Sequence, residues 1–519
     1  MAIAARAFKP VTIVVVAGAV LFACYWRQSL SEPISSDGAS NVLQAWAMLH
    51  GNLLLHGWQL SDVSFYTTEL PQYMLIEVVR GLGPGVVNVA AAMTYTLLVV
   101  LTGLLARGHA RGREGLVRCL LGAGIMLAPQ LSATSTLLQA PDHTGTAVPV
   151  LVAWLVIDRA PPRWYVPVAV WAVLTWTMAA DSIVLVTGIA PLVVAVGARA
   201  CWALARGGKP RYYELFLAGA ALAAAVAGSV VPRLIRAAGG YQVWPVQERI
   251  GGLDHLRAEV PVAFQAVLRL FGADVFGAKP ALELAFAAVH LAGVVMAGLA
   301  LCIAVRRFFA TDELLIPAFA VGIVLNLAAF VLTAQSLAAT REMAAVLPLG
   351  AVLAGRLLAG PILRARLVPA LAVAAAVYLA ALAYGAVQPA VPPMNQSLAT
   401  WLAAHRLSGG LGGYWQANST TLDSGSRITV SSVLVSGGKL VPGTWETSQQ
   451  QYEAPQHYAN FVVVQDDQPY PAQWLQAAEL TFGHPQQIYR LGQYTVMAWR
   501  TNLLSHLDQP AMADARTAG

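Results

Sequence analysis

About eleven mostly apolar segments, each near the ~20 residues that a helix needs to cross a bilayer, follow one another through the first 387 residues. They run over 11–30, 86–106, 116–136, 142–158, 164–180, 182–198, 213–233, 281–305, 313–334, 342–360 and 367–387. Those from 142 to 198 are short. In lipid a spanning segment must satisfy its own backbone polar groups, so such a chain folds as a bundle of helices. The expected class is therefore a polytopic α-helical membrane protein. Composition agrees: 57% of residues are hydrophobic and 11% charged, where soluble chains carry about 25% charged residues. That excludes a large soluble enzyme and a disordered chain.

The net charge of +6 does not point to nucleic acid, because the basic residues follow the loops between spans. With the N-terminus inside, the inside loops hold Arg6 and Lys9, then Arg107, Arg111, Arg113 and Arg118, then Arg159 and Arg163. They also hold Arg199, Arg206, Lys209 and Arg211, then Arg306 and Arg307, then Arg356, Arg364 and Arg366. The short outside loops at 137–143 and 179–182 have no Lys or Arg, and the one at 335–341 has Arg341 alone. The positive-inside rule then places the N-terminus in the cytoplasm and the C-terminus outside a cytoplasmic membrane. The box Leu21-Phe22-Ala23-Cys24 faintly resembles a lipoprotein cleavage site, but an uncleaved first span is expected. Cys24, Cys119, Cys201 and Cys302 form no CxxC, and the tail has no Cys. The many Ala, Gly and Arg and few Lys suggest a GC-rich bacterial source.

The expected division is a membrane domain over 1–387, with large outside loops at 31–85 and 234–280, and an extracytoplasmic α/β domain over 388–519. In the second loop, Leu253 to Phe271 reads as an amphipathic surface helix interrupted by Pro261. In the tail, 428–435, 460–465 and 494–499 read as strands, and 395–406 and 471–481 as helices. Trp401, Trp415, Trp445, Trp474 and Trp499 read as core or as sugar platforms.

The first loop carries the most chemistry. Asp37, in Ser36-Asp37-Gly38, stands just past the first span, before a helix expected over Asn41–Leu49. A carboxylate there suits a general base for an acceptor hydroxyl; locally it reads first as an N-cap, and the two roles can coexist. Asp142 and His143 can position a sugar, bind a divalent metal or cap a helix. Adjacent residues on a helix do not share a face, so a shared metal needs loop geometry, and the sequence fixes no cofactor. Asp181 is either a cap or a functional acid at a span end. Arg341 offers a donor fork that matches phosphate; it also reads as an interfacial anchor or a partner of Glu342. No Walker loop, strand–helix GxGxxG or HExxH is present.

Three stretches carry a family resemblance: Ser36-Asp37-Gly38, Ala47-Met48-Leu49-His50-Gly51, and Tyr66-Thr67-Thr68-Glu69-Leu70-Pro71. With Arg341 to Pro348, they make the chain similar to GT-C fold membrane glycosyltransferases. The likeness is to the branch of protein O-mannosyltransferases and lipid A aminoarabinose transferases. It implies a polyprenyl-phosphate sugar donor, a protein, lipid or glycan acceptor, and inverting transfer on the outer membrane face. Carried over, Asp37 is the base, Arg341 holds the donor phosphate and Glu69 helps order the site. Gly38 stands where the family has a second acid and Leu70 where it has Lys. The tail shows no catalytic motif, and acceptor recognition is one role open to it. A transporter or lipid flippase of the cell envelope is the alternative, and a non-catalytic envelope assembly protein a third reading.

Overall fold

The computed structural model describes residues 2–130, 132–245, 253–276, 281–333, 336–466 and 469–507. Residues 246–252 and 277–280 of the second loop, Gln335 and the last twelve positions of the tail, 508–519, lie outside the described residues.

Eight helices among the described residues are long and apolar enough to cross a membrane, and the chain is a multi-pass membrane protein. They are Thr12–Ser29, Gly85–Arg107, Leu185–Ala205, Tyr212–Ala237, Ala281–Arg306, Leu315–Leu332, Val346–Arg364 and Val368–Ala386. The remaining three apolar segments form shorter helices, Gly112–Met126, Thr144–Arg159 and Tyr165–Met178, of 15, 16 and 14 residues. At ~1.5 Å per residue these fall short of the ~30 Å hydrocarbon core. The shortening has a functional consequence, because the segment read as 142–158 becomes helical only at Thr144. Asp142 and His143 are thereby left in the preceding loop.

Small residues let the bundle pack closely, as they do where lipid supplies no hydrophobic drive between helices. A Cβ on Gly122 would lie 2.6 Å from the Ala106 Cβ, and one on Gly355 would lie 2.8 Å from the same atom. Three helices thus meet at one alanine. The same end of the bundle holds a buried guanidinium. Arg356 pairs with Asp158 at 2.7 Å and Glu313 at 2.6 Å, and its Nε donates to the Leu105 carbonyl at 2.8 Å.

The opposite end carries the sheet-forming tail. Its six strands lie in the order Lys439–Pro442, Thr429–Ser436, Gly409–Gly412, Phe461–Gln465, Tyr494–Ala498 and Gln487–Leu491. The three central strands are parallel and the outer pairings antiparallel. Leu411, Val462, Val464 and Met497 pack on one face, and Phe461, Val463 and Val496 on the other. Period-two alternation in Phe461–Gln465 produces this two-faced burial. The Gly409-Gly410-Leu411-Gly412 strand is glycine-rich because Phe461 and Tyr458 occupy the space where side chains would stand. Trp499 is core, whereas Trp415 is 52% exposed.

A second, three-stranded sheet ties the extramembrane segments together. Trp58–Leu60 of the first loop pairs in parallel with Gln242–Val243 of the second and antiparallel with Thr447–Ser448 of the tail. The second loop's helix runs over Leu253–Leu270 and continues through Pro261.

Candidate functional site

The site is assembled by the helix that follows the first span. This helix begins at Ser36, five residues before the expected start at Asn41, and ends at Leu49. Its N-cap is Ser35, whose hydroxyl accepts from the Gly38 N–H at 3.2 Å. The capping reading of Asp37 is therefore corrected: Asp37 sits inside the first turn with its carboxylate directed elsewhere. An acid in a first turn also complements the helix dipole.

Asp37 faces Arg341, 4.0 Å from its Oδ2 to Nη1. The same Nη1 lies 3.1 Å from Asp142 Oδ2, while Asn41 Nδ2 donates to Asp142 Oδ1 at 3.0 Å. Asp142 is buried, and Asp37 and Arg341 keep 30% and 24% of their side chains exposed. The buried acid thus braces the guanidinium beside the partly exposed Asp37 carboxylate. Burial pushes the Asp142 carboxyl up from its usual range, against the pull of Arg341 and with the push of Asp37. Arg341 lies in a short 3-10 segment, Leu337–Met343, before the Val346–Arg364 helix. Its described ion pairs are with the two aspartates across the bundle.

His143 and Asp142 diverge despite being adjacent. His143 adopts φ 58°, a left-handed conformation uncommon outside glycine. That turn sends its Nδ1 to within 3.0 Å of Asp181 Oδ2. Asp181 also accepts from Thr146 Oγ1 at 2.9 Å and, through Oδ1, from the Ile183 N–H at 2.9 Å. Asp181 therefore combines a local capping bond with a long-range ion pair. Burial alone would lower the imidazole, but the Asp181 carboxylate overrides it and raises His143 to about 9. Burial alone would raise Asp181; His143 holds it below the usual carboxylate range.

This pair fixes a pH dependence. The unfolded chain gives up its imidazole proton near about pH 6.5. The stabilisation is therefore full below that value and is lost as pH rises through about 9. Thermal unfolding in detergent is expected to show the midpoint falling between about pH 6 and about pH 10, and His143→Ala is expected to flatten that fall. An unchanged slope in the variant would show that the pair contributes nothing.

Glu69 is fully buried and bonds the Thr68 hydroxyl, with Thr146 Oγ1 3.4 Å away. Burial pushes its carboxyl up to about 8. It belongs to the His143–Asp181 group, apart from the Asp37–Arg341 cluster. Gly145 makes room for it: a Cβ there would stand 2.8 Å from Glu69 Cγ and Cδ. Gly145→Ala is therefore expected to cost about 1–3 kcal/mol of stability by overpacking, read as a lowered unfolding midpoint.

A cleft of about 210 Å³ opens beside His143 and Asp181, with Asp62 and Glu342 also lining it. Leu185, Val186 and Phe330 form its apolar side. Among the described residues, no three His, Cys, Asp or Glu side chains converge as a metal site. Asp142 and His143 turn to different partners, Arg341 and Asp181, and supply no shared donor pair for a divalent cation.

Two further residues reach the cluster from the tail, and the sequence reading missed both. The Tyr414 hydroxyl lies 2.5 Å from Asp37 Oδ1 and 2.5 Å from Glu446 Oε2. Burial pushes the Glu446 carboxyl well up, and the nearby Asp37 charge adds to the effect. The glycine run before Tyr414 marks a close backbone approach but names no partner for the tyrosine.

No protein-family profile and no curated protein matches the chain. Among solved structures, an oligosaccharyltransferase from Archaeoglobus fulgidus in the apo form aligns at 14% identity. That alignment covers 88% of this chain and 69% of the other, with a TM-score of 0.49. ArnT from Cupriavidus metallidurans in the apo state aligns over 98% of this chain and all of its own length, at 15% identity and TM-score 0.56. The chain has the GT-C fold of that structure, with a sheet-containing C-terminal unit.

Proposed function

We propose that this protein transfers a sugar from a polyprenyl-phosphate carrier to an acceptor hydroxyl on the outer face of the cytoplasmic membrane. The observation that carries the reading is the partly exposed Asp37 carboxylate 4.0 Å from the Arg341 guanidinium, with buried Asp142 behind it. Asp37 takes the acceptor proton as the hydroxyl attacks the anomeric carbon. The carbon–phosphate-oxygen bond breaks, and the leaving phosphate takes the bonding electrons. Arg341 stabilises the charge that develops there. Attack opposite the leaving group inverts the anomeric carbon. Asp142 and Asn41 hold Arg341 for this task. The apolar side of the cleft beside His143 suits the first isoprene units of a carrier, and its acidic side suits sugar hydroxyls. The N-terminus lies in the cytoplasm and the tail outside, as the loop charges require.

The test is lipid mass spectrometry on the full chain purified in mild detergent. A co-purifying polyprenyl phosphate or its sugar ester is the expected result, and the ester would identify the sugar. Absence of such a lipid, together with ion-driven solute uptake in proteoliposomes, would replace this reading by a transporter.

A further inference from the structure

The tail enters the site through one phenol placed between two carboxyl groups. Tyr414 Oη lies 2.5 Å from Asp37 Oδ1 and 2.5 Å from Glu446 Oε2. A tyrosine hydroxyl carries one proton and can donate only once. The phenol lies within hydrogen-bonding reach of both carboxyl groups and can donate to one of them, so the other contact is a hydrogen bond when that carboxyl group is the donor. This arrangement calls for a second proton, held by one of the two carboxyl groups and donated to the phenolic oxygen.

Two observations place that proton on Glu446. Glu446 is buried at 4% exposure, whereas Asp37 is 30% exposed. Among the described residues, Asp37 alone of the two has a cation, Arg341, within 4.0 Å. A charge is costly in the buried position and tolerated in the wet, paired one.

The backbone is built to hold this arrangement. Glu446 adopts φ 48°, a strained conformation that persists only where its surroundings enforce it. Its carbonyl accepts from Ser40 Oγ at 2.9 Å and Asn418 Nδ2 at 3.2 Å. The next residues, Thr447 and Ser448, pair with Trp58 and Gln59 of the first loop. Tyr414 begins the Tyr414–Asp423 helix, and its carbonyl accepts from Ser36 Oγ at 2.6 Å. Both bridge residues are thus anchored to the helix that carries Asp37.

We propose that Tyr414 and Glu446 are positioning residues of the transferase, forming a proton-sharing bridge that keeps the proton on Glu446 and the negative charge on Asp37. This rests on the reading of Asp37 as the base. In the resting site the Glu446 O–H donates to Tyr414, and the Tyr414 O–H donates to Asp37 Oδ1. The three groups together carry one negative charge. Asp37 Oδ2 then takes the acceptor proton, and the trio becomes neutral until that proton leaves to water. The bridge fixes Asp37 Oδ1 and leaves Oδ2, on the Arg341 side, as the reacting oxygen. The C-terminal unit thereby completes the site.

The test is infrared difference spectroscopy of the full chain in nanodiscs at neutral pH, which needs no substrate. Subtracting Glu446→Gln from wild type is expected to reveal the carbonyl band of one protonated carboxyl group. Glutamine keeps the size and a donor for Tyr414, so the fold is retained. Tyr414→Phe is expected to move that band, because its hydrogen-bond partner is lost. Asp37→Asn is expected to leave the band in place. No band difference between wild type and Glu446→Gln would overturn the proposal, as would loss of the band in Asp37→Asn. An ionised Glu446 that only anchors the tail gives no such band. Failure of the bridge is distinguishable from failure of the base reading. Sugar transfer lost in Asp37→Asn with no Glu446 band sinks the bridge alone, while transfer retained in Asp37→Asn sinks the base.

Discussion

Asp37→Asn is expected to lower the rate of sugar transfer by roughly 10²–10⁴-fold, the usual contribution of a positioned general base, while the protein stays folded. Asparagine has the shape of aspartate and still accepts from Tyr414 at Oδ1. Ser35, not Asp37, caps the helix, so the substitution removes no cap. Arg341 keeps Asp142 as its partner at 3.1 Å, so donor binding is expected to persist. The outcome is a fall in kcat with little change in donor affinity, measured as release of polyprenyl phosphate from the sugar ester. An equal loss of donor binding would mean that Asp37 acts by holding Arg341.

Arg341→Ala is expected to lose the carrier lipid as well as turnover. Removing one donor to a developing oxyanion costs roughly 10²–10³-fold in rate, and here the same group binds the ground-state phosphate. The substitution also strips buried Asp142 of its cation, leaving Asn41 as its described partner. That uncompensated charge would itself destabilise the protein. The double variant Arg341→Ala with Asp142→Asn separates the two effects, because it relieves the buried charge without restoring a phosphate donor. It is expected to recover thermal stability and still lack the lipid. Arg341→Lys is expected to bind donor weakly, since lysine keeps the charge and loses the planar fork. Retention of the lipid by the stable double variant would remove Arg341 from the phosphate.

How far the sequence could be read follows from the range of the interactions involved. Membrane helices announce themselves because their apolar composition is a local requirement of the solvent; among the described residues each of the eleven segments contains a helix, and eight of these are long enough to span. The lengths of three were overstated, since apolar residues continue into loops such as 127–130. Asp37, Asp142 and Arg341 were singled out separately as ionisable groups at span ends, and the bundle brings them together. The divergence of Asp142 and His143 was not legible: it depends on a left-handed φ at His143, which no local pattern in the sequence requires. Tyr414 and Glu446 were out of reach for another reason. Tyr414 is 377 residues from Asp37, and a tyrosine after glycines in a polar tail has no periodicity that points to a partner. The glycine strand itself escaped notice because strands are recognised by their β-branched and aromatic side chains. Gly409–Gly412 leaves those to its neighbours, Phe461 above all.

The central claim is that Asp37 drives transfer from a lipid-linked sugar bound by Arg341. It is tested most directly by single-turnover transfer in nanodiscs. Wild type and Asp37→Asn are loaded with the polyprenyl-phosphate sugar found by mass spectrometry and mixed with membranes containing the acceptor. The account predicts that both proteins hold the donor and that wild type alone releases polyprenyl phosphate with an inverted sugar on the product. Equal release by Asp37→Asn, or a product with retained configuration, would contradict it.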